Sequence, residues 1–442
     1  MENKRKLYIE TYGCQMNFSD SEIVASIMTE SNFEAVTEPG LADVIFLNTC
    51  SIREHAEDRV FNRLRELRSF KKKNKNLIVG VLGCMAERLK EDLLTREECV
   101  DLIAGPDSYR ELPKLLENLG TGMKAVNILL SAEETYADIS PVRIDSNGVS
   151  AFISIMRGCQ NFCSYCVVPY TRGKERSRNP ESIINEALKL FNDGYREITL
   201  LGQNVNSYRF ELEGAVVDFP TLMDMMARIN PLLRIRFATS HPKDISDNLL
   251  RVIASHPNIC RAIHLPLQSG SNKVLGLMNR KYTVEYFLER AKTIREMIPG
   301  CALSTDIIAG FCSETEDDHR QTLEAMKNAE FEYAFMFKYS ERPGTSAAGR
   351  LEDDVPETLK LSRLTEIIGL QQILSHNSNK NDIGKTFEVL VEGFSRKSKQ
   401  MLSGRNSQNK VVVFKSEPRP AGSYVNVRIT SCTPATLIGE AI

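Results

Sequence analysis

Tryptophan is missing from this 442-residue chain, and its absence carries no functional information. Other scarcities exclude more. No apolar run reaches the roughly eighteen residues that a membrane span needs. The opening Met1-Glu2-Asn3-Lys4-Arg5-Lys6 leads directly into a strand-like segment, without the apolar stretch of a secretory leader. A cytoplasmic protein is therefore expected. The six histidines, His55, His241, His256, His264, His319 and His376, match no metal or triad spacing and read as structural. A zinc ribbon is disfavoured because no second Cys-x2-Cys pair accompanies Cys163 and Cys166. Hydrophobic content of 42% and charged content of 26% are those of an ordinary soluble protein, long enough for about two to four domains. In a reducing compartment its eleven cysteines argue for metal and thiol chemistry rather than disulfides.

The net charge of −2 hides an asymmetry. From Lys380 to Ile442, ten Lys/Arg against five Asp/Glu give +5, which leaves −7 for the other 379 residues. A small basic module on an acidic body suggests a polyanionic partner, most simply nucleic acid.

The run Arg157-Gly158-Cys159-Gln160-Asn161-Phe162-Cys163-Ser164-Tyr165-Cys166 is the most informative stretch. Three thiolates on one short loop can hold three irons of a 4Fe-4S cubane and leave the fourth open to a substrate. The x3-then-x2 spacing, with an aromatic just before the last cysteine, resembles the signature of the radical S-adenosylmethionine (SAM) enzymes, in which the open iron chelates SAM.

Residues 1–140 alternate apolar strands (Lys6 to Glu10, Asp43 to Asn48, Leu77 to Leu82) with helical segments (Ser19 to Ser31, Arg53 to Lys73). This pattern predicts a flavodoxin-like parallel α/β domain covered on both faces. Cys14, Cys50 and Cys84 each follow one of these strands. Loops at the carboxyl ends of parallel strands gather on one edge, so the three thiols are expected to converge. Small or turn-forming neighbours (Gly13, Thr49, Gly83) suit a backbone that wraps a group closely. A second three-cysteine 4Fe-4S cluster accounts for this better than three unrelated buried thiols.

Residues 145–375 repeat strand then helix six times, with strands expected at Ala151 to Met156, Glu197 to Leu201, Arg234 to Ala238, Arg261 to Leu265, Ala302 to Ala309 and Tyr333 to Tyr339. Six such units fit a partial (β/α)6 barrel whose chemistry lies in the loops after the strands. Residues 380–442 switch to short β-rich runs with Gly and Ser turns, which predicts a small OB-like barrel of the oligonucleotide-binding kind.

The whole layout resembles the methylthiotransferase family of radical SAM enzymes, which ends in a TRAM domain. The motifs Thr11-Tyr12-Gly13-Cys14-Gln15-Met16-Asn17, Asn48-Thr49-Cys50-Ser51-Ile52-Arg53-Glu54, Cys163-Ser164-Tyr165-Cys166-Val167-Val168-Pro169-Tyr170-Thr171-Arg172-Gly173 and Ser403-Gly404-Arg405-Asn406 look like the branch acting on N6-dimethylallyladenosine of tRNA. Two positions depart from the family: Gln160 stands where Asn is common, and Cys312 where Pro is usual. The resemblance implies two 4Fe-4S clusters, on Cys159, Cys163 and Cys166 and on Cys14, Cys50 and Cys84. The first would cleave SAM to a 5′-deoxyadenosyl radical. The second would carry the sulfur that, methylated by a second SAM, is delivered as methylthio to C2 of the adenine at position 37. Partners implied are a tRNA anticodon stem-loop, a flavodoxin- or ferredoxin-type electron donor, and a donor of sulfur or Fe-S clusters; a monomer suffices.

Candidate SAM contacts are Tyr165, which the resemblance places near the adenine, Gln203 just after the second strand, Gln268, Ser269 and Asp306 at equivalent barrel-mouth positions, and Arg280, suited to pair a carboxylate or phosphate. Candidate RNA contacts are Arg396, Lys397, Lys399 and Arg405 in the terminal barrel, with Arg172 and Lys174, and then Arg176 and Arg178, after the cysteine loop. Two other readings stay open: the same chemistry on threonylcarbamoyladenosine or on a ribosomal-protein aspartate, or an RNA-binding protein whose clusters are structural or redox-sensing.

Overall fold

The computed structural model describes residues 4–51, 54–119, 124–144, 147–415 and 417–442, with the backbone alone at 54–56 and 91. Ile52, Arg53 and the side chains of Glu54 and His55 therefore lie outside the described residues. The chain forms two compact units, one of Met1–Asp145, Met156–Phe162 and Cys166–Ser182, the other of Ser146–Ile155, Cys163–Tyr165 and Ile183–Ile442.

The first unit is built on six strands: β1 (Arg5–Tyr12), β2 (Phe33–Ala35), β3 (Val44–Thr49), β4 (Ile78–Gly83), β5 (Leu102–Ala104) and β6 (Ala125–Asn127). They pair in parallel in the order β2-β1-β3-β4-β5-β6, the flavodoxin-like order with one strand added. Every residue of β3 is buried because its two faces feed two cores. Val44 and Phe46 pack with Val24 and Met28 of α1 (Gln15–Glu30). Ile45 and Leu47 pack with Val60 and Leu64 of α2 (Glu54–Lys73) on the opposite face. Each such side chain contributes about 1.5–3 kcal/mol on burial, which fixes strand register firmly. Helix α1 begins four residues before the expected Ser19, because Cys14 and Asn17 form its capping box rather than a Ser or Thr. A short antiparallel pair, Met156–Arg157 with Arg176–Ser177, also belongs to this unit.

The second unit carries β7 (Ser150–Ser154), β8 (Glu197–Leu201), β9 (Arg234–Phe237), β10 (Ala262–His264), β11 (Ala302–Ala309) and β12 (Tyr333–Lys338). These form two parallel three-stranded sheets, β9-β8-β7 and β10-β11-β12. A lone parallel bridge, Ile235 to Ile259, links the residues of β9 to the segment before β10. All six expected strands are present. A hairpin, Arg209–Leu212 with Ala215–Asp218, was not foreseen; it turns on Glu213 and Gly214, both at positive φ. The helix Glu357–Lys380 carries the chain past residue 375 to the terminal strands.

Strands β13 (Thr386–Ser395), β14 (Ser398–Asn406), β15 (Val411–Lys415), β16 (Tyr424–Cys432) and β17 (Leu437–Ala441) close into a barrel in the order β13-β14-β15-β17-β16. Its core is Val389, Val391, Leu402, Val412, Phe414 and their neighbours. The residues at 405–407 are occupied in holding this barrel to β9. Arg234 donates to the Arg405 carbonyl at 2.8 Å, and Arg236 to the Asn406 carbonyl at 2.8 Å and the Ser407 carbonyl at 3.2 Å.

Candidate active site

Cys14, Cys50 and Cys84 stand at the carboxyl ends of β1, β3 and β4. The register pairs Tyr12 with Thr49 and Thr49 with Gly83, so the three thiols enter side by side. The Cys50 thiol is a hydrogen-bond partner of Cys14 and holds it below its ordinary pKa; burial works the other way, and the Arg172 guanidinium lowers it further. Burial pushes the Cys84 thiol up, against the opposing pull of Arg172.

The two glycines here are required by space. A Cβ on Gly13 would meet the Cys50 Cβ at 2.8 Å and Asn17 Cγ at 2.7 Å. Gly83 has a φ of +89°, and its Cβ would meet the Thr49 carbonyl oxygen at 2.5 Å. Among the described residues no three His, Cys, Asp or Glu side chains are closed onto a single ligating centre. The thiols are gathered by topology, and they engage protein partners: Cys14 Sγ donates to Asn17 Oδ1 at 3.4 Å.

A buried ion cluster supports these thiols. Asp20 on α1 is fully buried, and Arg157 and Arg172 are 1% and 3% exposed. Arg157 Nη1 lies 2.9 Å from Asp20 Oδ1, and Arg172 Nη2 donates to Asp20 Oδ2 at 2.6 Å. Burial alone would raise the Asp20 carboxyl, but the two guanidinium groups hold it below the usual range. Arg172 also donates through Nε to Cys84 Sγ at 3.2 Å. Its Nη1 is buried without a hydrogen-bond partner among the described residues.

Arg172 is therefore not an RNA contact, contrary to the expectation from its place in a basic run. Arg176 and Arg178 are likewise buried: Arg176 pairs with Asp107 at 2.9 Å, and Arg178 donates to Ser182 Oγ at 2.8 Å. Of that run only Lys174 is exposed. Arg396, Lys397 and Lys399 are exposed, whereas Arg405 is half-buried and bonded to Glu392 and Asn409.

The loop after β7 carries the other three cysteines, all partly exposed. Gly158, at φ +81°, is indispensable because a side chain there would collide with the Lys174 carbonyl. In the first unit the Cys159 amide donates to the Gly173 carbonyl at 3.1 Å. In the second, Ser164 is fixed through its amide to the Met278 carbonyl at 3.0 Å and through its hydroxyl to the Leu277 carbonyl at 2.8 Å. Arg280 Nη1 donates to Cys163 Sγ at 3.2 Å, Nε to the Tyr282 hydroxyl at 3.0 Å and Nη2 to the Pro266 carbonyl at 3.3 Å. This guanidinium serves a candidate cluster ligand rather than the carboxylate or phosphate expected of it.

The remaining mouth residues differ in what they offer. Gln203 Oε1 is a buried acceptor without a partner among the described residues, which suits an ammonium donor. Gln268 is held at φ +70° with its main chain pinned to Asp306 and Ile308, an unfavourable conformation for a Gln that marks functional turns. Tyr165 lies edge-on to Phe311 at 6.3 Å. Asp306 faces His264 at 3.3 Å and stays partly exposed. Ser269 does not: it is fully buried, paired to Thr322 at 3.3 Å, and accepts from the Ser271 amide at 3.2 Å.

One feature of this face gave no sequence signal. The β11–β12 register puts Tyr333, Phe335 and Phe337 on the same side as Ser304, Asp306 and Ile308. Phe335 and Phe337 are 47% and 36% exposed. Phe335 meets the His264 ring at 5.8 Å.

A partial βα barrel with a three-cysteine loop after its first strand defines a radical SAM enzyme. The model of the Radical SAM superfamily matches residues 153–326, that of the uncharacterized protein family UPF0004 residues 6–105, and that of the TRAM domain residues 380–442. Curated relatives called tRNA-2-methylthio-N(6)-dimethylallyladenosine synthase align over the full length. The one from Bacteroides fragilis is 56% identical over 100% of this chain and 96% of its own. The one from Phocaeicola vulgatus is 57% identical over the same shares, and the one from Chloroherpeton thalassium 55% over 99% and 96%. The chain belongs to the tRNA-2-methylthio-N(6)-dimethylallyladenosine synthase family. Membership implies SAM and a 4Fe-4S cluster as cofactors. The fold is shared with the radical SAM methyltransferase TsrM from Kitasatospora setae, at a TM-score of 0.58 and 14% identity over 78% of this chain and 75% of that one. It is shared also with the cobalamin-dependent SAM radical enzyme OxsB, at a TM-score of 0.55 and 14% identity over 84% and 56%. No helix among the described residues is long and apolar enough to cross a membrane.

Proposed function

We propose that this enzyme adds a methylthio group to C2 of N6-dimethylallyladenosine at position 37 of tRNA. The observation that carries this reading is the gathering of Cys14, Cys50 and Cys84 at one sheet edge, in a chain that also holds the radical SAM cysteine loop. Each three-cysteine set would leave one iron of a bound cluster without a protein ligand, one for SAM and one for the sulfur to be transferred. Three thiols suit a 4Fe-4S cluster at each place, Cys159, Cys163 and Cys166 to hold the first and Cys14, Cys50 and Cys84 the second. When bound, these groups with SAM supply one-electron chemistry able to reach an adenine C–H bond that has no acidic proton.

The protein's own residues bind and orient. Gln203, Gln268, Tyr165 and Asp306 line the SAM side of the mouth, and Arg280 steadies Cys163. Tyr333, Phe335 and Phe337 offer stacking and apolar area for an adenine carrying a five-carbon prenyl group, extruded from its stack at a cost of about a few kcal/mol. Arg396, Lys397, Lys399 and Lys174 supply phosphate contacts, with Arg405 at their margin. Working bounds are 1–140 for the auxiliary domain, 145–375 for the radical SAM core and 380–442 for the RNA-binding domain. Such an enzyme works in the cytoplasm as a monomer, with a low-potential flavodoxin or ferredoxin and a sulfur or cluster donor.

The test is anaerobic incubation of reconstituted protein with SAM, a low-potential reductant and tRNA carrying dimethylallyladenosine, followed by mass spectrometry of the nucleosides. A methylthio product is expected. 5′-Deoxyadenosine with unchanged tRNA would move the substrate elsewhere, to threonylcarbamoyladenosine or a protein aspartate. Neither product, from protein with intact clusters, would leave an RNA-binding protein.

A further inference from the structure

Arg172 is the residue whose surroundings the proposed reaction leaves unexplained. Burying a guanidinium is expensive unless its donors are all used, and here they are divided unusually. One goes to the Asp20 carboxylate, one to Cys84 Sγ at 3.2 Å, and the third group, Nη1, is buried with no hydrogen-bond partner among the described residues. Asp20 would be served by a guanidinium from either side, yet only one of its two arginines touches a sulfur. Arg157 reaches Asp20 at 2.9 Å and Asp107 at 3.7 Å and makes a cation–π contact with Tyr136 at 4.9 Å. The pair of arginines thus forms an internal control, with equal burial and a shared carboxylate but different access to the thiols.

Three thiolates and Asp20 would together place four negative charges in a site with little water. Charge-assisted N–H···S bonds stabilise a thiolate-ligated cluster, and more so after it gains an electron. A planar guanidinium can satisfy a carboxylate and a sulfur at once, which a lysine ammonium does less well.

Resting on the reading that Cys14, Cys50 and Cys84 hold the second cluster, we infer that Arg172 is a positioning residue for that cluster. It donates a hydrogen bond to the Cys84 sulfur, offers Nη1 to a further sulfur acceptor and raises the cluster's reduction potential. Asp20 orients the guanidinium. The donor comes from the segment that follows Cys166 in the chain, so this segment has a second task beyond carrying a cluster ligand.

The experiment uses the full-length chain with Cys159, Cys163 and Cys166 replaced by alanine, so that only the second cluster can be bound. Iron content and an EPR-monitored titration with a low-potential reductant are then compared for this parent, for Arg172→Met and for Arg157→Met. The expected result is a cluster in all three. At a fixed ambient potential the reduced-to-oxidised ratio in Arg172→Met falls at least tenfold, about 59 mV for one electron, while that of Arg157→Met stays within twofold of the parent. An unchanged ratio in Arg172→Met, or equal shifts in both variants, would overturn the inference. If Arg172→Met holds no iron, Arg172→Lys decides by the same criterion: it keeps the charge but loses the fork, so a lowered ratio supports the role and an unchanged one refutes it. A parent without a cluster would instead remove the reading on which the inference rests.

Discussion

Replacing Asp20 by Asn tests the buried ion cluster most severely. In the wild-type protein Asp20 is fully buried and compensates Arg157 and Arg172, which are 1% and 3% exposed. The substitution keeps shape and removes the charge. Arg157 retains Asp107 at 3.7 Å, but Arg172 is left with the Cys84 thiol alone. Breaking a buried pair from one side costs about 3–5 kcal/mol, because the remaining charge stays desolvated. For a urea dependence of about 2 kcal/mol per M, that lowers the unfolding midpoint by about 1.5–2.5 M. The assay is urea denaturation of the iron-free protein followed by far-UV circular dichroism, since the chain has no tryptophan. Adding Arg172→Met to Asp20→Asn removes the stranded charge and should recover about 1 kcal/mol or more. A loss below about 1 kcal/mol in the single variant, or simple additivity in the double, would refute the reasoning.

Gly83→Ala forces a side chain onto the Thr49 carbonyl at positive φ, so it should abolish iron binding at the second site while leaving about four irons per chain at the first, read by iron analysis. His241 is buried, next to Arg280 and Lys243, and its pKa is pushed down to about 2. A histidine depressed in the folded state contributes stability that is complete above its unfolded pKa of about 6.5 and declines as pH falls toward 2. Acidification from pH 7.5 to 5.5 should therefore cost about 1.4 kcal/mol, and His241→Asn, which keeps the Lys243 amide capped, should flatten that dependence in urea melts. Replacing Arg396, Lys397 and Lys399 together by Glu should weaken tRNA binding and reduce its salt slope by about 2–3, measured by filter binding, whereas a slope unchanged from wild type would remove these residues from the interface. Phe335→Ala should raise KM for the prenylated tRNA more than for SAM, and equal effects on both would argue against a stacking role.

Much of the first unit was legible because β3 and β4 are continuous apolar runs that end at cysteines. Val44 to Leu47 and Ile78 to Leu82 leave little choice of structure, and strand topology then brings Cys14, Cys50 and Cys84 together without further information. The partial barrel was readable for the same reason. The ion cluster was not. Asp20 and Arg172 are 152 residues apart, and nothing local distinguishes a buried charge from a solvated one. Arg172, Arg176 and Arg178 read as one basic surface patch, whereas each is drawn inward by a particular partner, Asp20, Asp107 or Ser182. Lys174 shares their two-residue spacing and yet faces solvent. Arg280 was recognised as important, but its donors go to Tyr282, the Pro266 carbonyl and Cys163, and the contact with Cys163 depends on geometry across 117 residues.

The central claim is that two cysteine sets do different work in one reaction. It is tested most directly with Cys84→Ala, by measuring 5′-deoxyadenosine and methylthio nucleoside in the same anaerobic incubation with dimethylallylated tRNA. The account predicts that SAM cleavage continues while the methylthio product disappears. Methylthio product at the wild-type level would contradict it.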